Sequence, residues 1–206
     1  MKKVFFQLAP EKREAVLRAA LAEFGSHDFD AASLDRIVAA AGISKGGLYE
    51  YIDSKEDLYL YCMEHAWSAL YRHINDGVAK LDMPLPDDIL DRFFSVSAVA
   101  IEWYLANPAM LGLIVRIARL PRAALASKAE AVFETHFSAV FAGLDASRLA
   151  YPLDRVIALV KWLLAKTRKD VLLDIEGGHA PEDVRAAYLA EWAFFCSVLR
   201  GGIYRG

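Results

Sequence analysis

A chain of 206 residues that is 56% hydrophobic and 25% charged is long enough for one large or two small domains, and too apolar for extended disorder. A formal net charge of -3 and a pI of about 6.0 exclude an overall basic character. Any nucleic-acid binding would have to come from local charge and geometry.

Neither a secretory leader nor a membrane span is expected. After Met1, Lys2 and Lys3 the apolar run is short, and Pro10 and Glu11 follow. The most apolar region, 93–117, is broken by Glu102, Asn107-Pro108 and Arg116, whereas a span needs roughly 20 apolar residues in a row. Cys62 and Cys196 lie far apart in apolar helical patterns. They read as reduced, buried thiols, and a cytoplasmic location is expected.

The first helix is predicted over about Pro10 to Phe24, with Val16, Leu17, Ala20, Leu21 and Phe24 on one face. "GSHDFDAAS" breaks the pattern. Ser33 then caps a second helix, whose Leu34, Ile37, Val38 and Ala41 fall at i, i+3, i+4 and i+7. Gly42 stops it. Ser44 caps a short third helix with Leu48 and Ile52 facing inward. Ser54 and Asp57 form a capping box that opens a long helix to about residue 80. "DMPLP" at 82–86 is a break. Further helices are predicted over roughly 87–106, 108–119, 122–143, 153–175 and 182–200, punctuated by proline and glycine. The fold class is therefore all-α, with no convincing strand. Residues 1–57 are expected to form a three-helix head with a helix-turn-helix, and 58–206 an all-helical body.

Two short helices joined by a glycine-containing turn can place the second helix in the major groove of DNA. In "GISKGGLYEY", Gly46 and Gly47 would let the helix start approach DNA closely, with bare N–H groups turned to phosphate. Lys45, Tyr49, Tyr51 and Lys55 offer charge, hydroxyls and rings to phosphate or base edges. Tyr49 and Tyr51 lie about 200° apart on a helix, so they cannot share a face. Ser44 and Glu50 complete the candidate DNA-binding set. Glu50 has three readings: pointing away from DNA, pairing with a base on the head, or accepting from a cytosine amine.

Residues 10–66, above all "GISKGGLYEY" followed by "SKEDL", resemble the DNA-binding head of the tetracycline-repressor (TetR) family of bacterial regulators. The resemblance covers about a third of the chain. It implies a homodimeric repressor on a palindromic double-stranded operator, released by a small-molecule effector held in the body. It also implies a dimer made by the last two helices. The family's contact positions fall on Lys45, Gly46, Gly47, Tyr49, Tyr51 and Lys55. Ile52 stands where the family usually has Phe, and Asp53 where a basic or neutral residue is common. Through Asp57 the head has eight basic and ten acidic residues, which opposes non-specific DNA binding.

In the body, Trp67, Phe93, Trp103, Phe137 and Trp162 are the candidate ligand-binding residues, although most aromatics there must be core. Glu102 and Arg116 interrupt apolar runs; they pair with each other, lie at the surface, or orient a ligand. Two stripes are candidates for a dimer face. One contains Val156, Leu159, Val160, Leu163, Thr167 and Val171; the other contains Val184, Ala187, Tyr188, Glu191, Trp192, Phe195 and Leu199. The same stripes equally suit the monomer's own core. No catalytic signature is present, no cofactor is implied, and Cys62 with His65 lacks the partners of a zinc site.

Overall fold

The computed structural model describes residues 1–80, 85–121 and 123–204. Its helices are α1 (Lys3–Phe6), α2 (Pro10–Ser26), α3 (Leu34–Ala41), α4 (Lys45–Tyr49), α5 (Lys55–Ala79), α6 (Ile89–Ala106), α7 (Pro108–Val115), α8 (Ala123–Val140), α9 (Leu153–Glu176) and α10 (Pro181–Ile203). A 3₁₀ turn, Arg116–Arg119, follows α7. Among the described residues the only extended pairing is an isolated bridge between Leu149 and Tyr204. The all-α reading therefore holds. The break expected at 82–86 falls mostly outside the described residues.

Local chemistry sets the helix ends. Ser33 accepts from the Arg36 N–H at 3.4 Å. Gly42 closes α3 at φ +67°, a left-handed conformation that favours glycine. The capping box before α5 is complete: Asp57 N–H donates to Ser54 Oγ at 3.1 Å, and Ser54 N–H donates back to Asp57 Oδ2 at 3.1 Å.

The chain divides into two compact units. The first contains 1–69 and 108–136, the second 70–107 and 137–206. In the first, Val16, Ala20 and Phe24 of α2 are buried with Ile37, Val38, Leu48, Ile52 and Leu58. Ile52 is fully enclosed, so the residue that replaces the family's usual Phe still serves as core. Glu23 is 8% exposed and fastens α2 to α3. It accepts from the Ser33 N–H at 2.7 Å and from Arg36 Nε at 3.0 Å. Burial alone would raise the Glu23 carboxyl; the Arg36 bond, the Ser33 N–H and nearby cations hold it below its ordinary value.

Glycine also decides the packing of α2 on α7. A Cβ on Gly25 would lie 2.2 Å from the Ala109 carbonyl oxygen, and one on Gly112 would lie 2.3 Å from the Gly25 carbonyl oxygen. The two backbones cross in direct contact, which only glycine permits. Helix α1 was not anticipated, because four residues carry too little periodicity to read. Its Phe5 is fully buried, 5.3 Å from the Tyr61 ring and 6.1 Å from the Tyr51 ring.

The second unit is built on α6, α9 and α10. Val156, Val160, Leu163, Thr167 and Val171 of α9 are buried there, as are Val184, Tyr188 and Trp192 of α10. Most of the α9 stripe offered as a dimer face is therefore core of this unit, with Leu159, at 37% exposure, outside it; of the α10 stripe Val184, Tyr188 and Trp192 are core, whereas Ala187 is exposed and Glu191, Phe195 and Leu199 are half-buried. Glu102 and Arg116 do not pair. Glu102 binds Arg185, with Nη2 at 2.8 Å from Oε2. Arg116 lies 3.7 Å from Asp28 Oδ1 and donates to the Gly112 carbonyl at 3.2 Å.

Candidate functional site

The start of α4 is capped and bare. Ser44 Oγ accepts from the Gly47 N–H at 3.0 Å. A Cβ on Gly46 would meet nothing within 4 Å, and one on Gly47 would meet only Ser44 Oγ at 3.2 Å. The head's packing therefore gives no reason for Gly46, although glycine costs a helix about 1 kcal/mol relative to alanine. Ser44, Lys45, Gly46, Tyr49 and Glu50 are all exposed, Tyr49 at 44%.

The two tyrosines part company: Tyr49 ends α4, and Tyr51 lies in the turn beyond it, outside the helix in which their angular separation would apply. Tyr51 is only 7% exposed, and Lys12 Nζ lies 5.9 Å from its ring centre. Its ring belongs to the packing under Phe5 and is not displayed beside Tyr49.

Both lysines are engaged within the head. Lys45 Nζ lies 2.8 Å from Asp35 Oδ1, and that hydrogen bond and charge raise the ammonium above its ordinary value. Lys55 Nζ sits 4.6 Å from the Phe29 ring centre and 3.4 Å from the Asp30 carbonyl oxygen. Burial pulls the Lys55 ammonium below its ordinary value against the charge of Asp30. Lys2 supplies a cation that periodicity did not reveal. Its Nζ donates to the Tyr49 carbonyl at 2.7 Å and lies 3.3 Å from Asp53 Oδ1. It thus caps the C-terminal end of α4 and offsets the acid anticipated as unfavourable there. No sequence signal could reveal this pairing, since its partners lie 47 and more positions away.

The body candidates do not form one cluster. Trp67 lies in the first unit, 2% exposed and 4.9 Å from the Phe133 ring. The other four lie in the second unit. There Phe93 stands 6.1 Å from Phe137 and 6.2 Å from Trp192, ring centre to ring centre. The row continues from Trp192 to Tyr188 at 6.5 Å and from Tyr188 to Tyr104 at 6.1 Å. Trp103 is buried beside Tyr104. Trp162 is 65% exposed and lines no interior.

A polar group ends this row. Arg168 is 7% exposed, and its Nε donates to the Tyr104 hydroxyl at 2.8 Å. Burial opposes its charge; the phenol oxygens of Tyr104, Tyr71 and Tyr188 favour it, and the balance lies above the ordinary value. Burial also pushes the Tyr188 phenol far above its ordinary value, so it stays protonated. Sequence reading passed over Arg168, yet Leu164, Arg168 and Val171 fall at i, i+4 and i+7, which places it on the buried stripe.

The outward face of α9 and α10 is apolar. Leu159, Trp162 and Leu173 on α9 and Phe194 and Val198 on α10 are exposed, the last two at 59% and 58%. Lys166 joins the two helices there, 2.7 Å from Asp170 and 2.9 Å from Glu191. Among the described residues no single helix is long and apolar enough to cross a membrane, and no group of three or more His, Cys, Asp or Glu is placed to hold a metal.

A sequence profile for "Bacterial regulatory proteins, tetR family" matches residues 16–62, which span α2 of the head through the first turns of α5. No curated protein matches the chain significantly. Solved structures with the same fold include a TetR family transcriptional regulator from Chloroflexus aurantiacus, 19% identical, with a TM-score of 0.69 over 100% of this chain and 99% of that one. The fatty acid degradation regulator FadR from Bacillus halodurans is 13% identical, with a TM-score of 0.66 over 87% of this chain and 96% of its own. The TetR-like transcriptional regulator LfrR from Mycobacterium smegmatis, solved in complex with proflavine, is 17% identical, with a TM-score of 0.61 over 89% of this chain and 94% of its own. At these identities the structures speak for the fold, which is that of solved TetR-family regulators, and the profile match identifies the head, residues 16–62, as similar to the DNA-binding segment of that family.

Proposed function

We propose that this protein is a ligand-responsive transcriptional repressor that binds a palindromic operator as a homodimer and is released by a small molecule held in its helical body. The observation that carries the DNA-binding part is the open start of α4. Gly46 has empty space around it, so the demand for a missing side chain comes from outside the head. Close approach of a duplex supplies that demand. Ser44, Lys45, Gly46, Gly47, Tyr49 and Glu50 are the residues proposed to meet DNA, with Lys55 beside them at the start of α5. Tyr51 would act by holding the head together.

The homodimer is proposed on the exposed apolar residues of α9 and α10, because large apolar side chains exposed on two packed helices suit an interface. Effector binding is proposed for the body because its aromatic and polar groups converge there, and because a protein of this fold has been solved in complex with proflavine. Helix α5, which opens at the head and continues into the second unit, is the covalent route by which a ligand would act on the head.

The experiment is operator selection with the purified protein, followed by Gly46→Ala. Alanine there should leave thermal stability equal or higher and weaken operator binding at least tenfold. Undiminished binding would remove the clearance argument. A second reading, a helical small-molecule sensor whose head does not hold DNA productively, draws on the engagement of Lys45 by Asp35 and of Lys55 by Phe29 and Asp30. Failure of selection to enrich any palindrome would favour it.

A further inference from the structure

Helix α4 is five residues long, and two of them are glycine. A helix so short does not hold its shape in water by itself, and glycine weakens it further. The shape that α4 presents must therefore be imposed by its neighbours. Its start is fixed by Ser44, which accepts from the Gly47 N–H, and by the pair of Lys45 with Asp35.

Its end is fixed by α1. The Lys2 main-chain N–H donates to the Tyr51 carbonyl at 2.8 Å, and Lys2 Nζ donates to the Tyr49 carbonyl at 2.7 Å. The last carbonyls of a helix have no partner within it, and the negative end of the helix dipole favours a cation there. The same ammonium lies 3.3 Å from Asp53 Oδ1. Behind Lys2, α1 is itself anchored. Phe5 is fully buried, its ring 6.1 Å from that of Tyr51 and 5.3 Å from that of Tyr61 on α5. Arg13 of α2 donates to the Phe6 carbonyl at 3.4 Å. A four-residue helix thus touches α2, α5 and the end of α4 at once, and its cation is engaged by the protein itself.

We infer that α1 is a latch on α4: Lys2 is a positioning residue that fixes the end of this helix, and through it the pose in which Gly46, Tyr49 and Glu50 are offered to DNA. The consequence for DNA rests on the reading of the head as operator-binding, whereas the latch is a property of the free protein. Ordering α4 in advance removes a cost that binding would otherwise carry.

The test uses the full chain. Lys2→Met keeps the stem and removes the ammonium. Lys2→Pro removes the main-chain donor as well, and the φ of -77° at Lys2 is one that proline takes. Lys2→Arg keeps a charged donor. Hydrogen exchange of the free protein is read at the Glu50, Tyr51 and Ile52 N–H groups, which donate to the carbonyls of Gly46 and Leu48. They should exchange about tenfold faster in Lys2→Met, faster still in Lys2→Pro, and near the native rate in Lys2→Arg, with the amides of α2 unmoved. Unchanged exchange at these three groups would overturn the latch. So would equal acceleration throughout α2, which marks a general loss of stability. Operator affinity is measured over a salt series. Lys2→Met should weaken binding about fivefold with the salt slope kept, and should do so in an Asp53→Asn background too. A slope lower by about 1 would make Lys2 a phosphate ligand, and a loss seen only with Asp53 present would make it a screen for that acid; either result overturns the positioning role. If the native protein selects no operator, the operator reading falls and exchange alone decides the latch.

Discussion

Lys45 shows how one neighbour sets the worth of a residue. Its ammonium is the best-placed charge at the start of α4, and Asp35 holds it at 2.8 Å. On DNA the carboxylate becomes a liability, since it repels phosphate and competes for the cation. Asp35→Asn should therefore tighten operator binding about threefold to tenfold at low salt, and less at high salt. Lys45→Ala should weaken binding uniformly across sequences and lower the salt slope by about 1. Fluorescence anisotropy over a salt series measures both. Glu50 is exposed at the end of α4, so Glu50→Ala should shift the preferred base at one position of each half-site. An unchanged binding logo would show that Glu50 reads nothing. Tyr51→Ala belongs to a different class: it removes a buried ring and should cost about 3 kcal/mol of stability, measured by denaturant melts.

At the scale of elements, two fastenings hold α2 in the first unit. The Gly25–Gly112 crossing brings α2 against α7 backbone to backbone. Gly112→Ala places a Cβ 2.3 Å from a carbonyl oxygen, and the helices cannot yield as a side chain would. The expected loss is about 1–3 kcal/mol, seen as a fall of several degrees in melting temperature. The second fastening is Glu23 between α2 and α3. Its carboxyl is held below the ordinary value, so its contribution is fully present above about pH 4.3, the unfolded value. That contribution fades as pH falls through the lower folded value. Urea midpoints measured from pH 6 down to pH 3 should drop more steeply in the native protein than in Glu23→Gln, which lacks the titrating group.

For the whole molecule the deciding feature is the outward face of α9 and α10. Trp162, Leu173, Phe194 and Val198 are large apolar side chains that stand exposed on these two helices, and exposed apolar patches commonly mark interaction surfaces. Two heads bound to one palindrome must be held about one DNA turn apart, roughly 34 Å. A dimer through this face meets that need. Trp162→Glu combined with Phe194→Glu should give a monomer in sedimentation, and operator affinity should fall by at least a hundredfold while helicity is kept. A wild-type monomer at micromolar concentration would remove the face from the account.

The helices and their ends were legible in the sequence because each boundary is a conversation between near neighbours. Ser33 with Arg36, Gly42 in its left-handed turn, Ser44 with Gly47, and Ser54 with Asp57 all act over three positions or fewer. The "GISKGGLYEY" run marked the head and its family resemblance for the same reason. What the sequence could not decide was which partners lie across space. Glu102 and Arg116 interrupt neighbouring apolar helices, yet each binds a residue elsewhere: Arg185, 83 positions on, and Asp28, 88 positions back. The broad apolar surfaces of α9 and α10 could be read with either side inward. Only packing assigned Val160, Tyr188 and Trp192 to the core, and Trp162 and Phe194 to the outside. Hydrophobic periodicity gives the angular spread of a helix's apolar side but not which part of that spread another helix will cover.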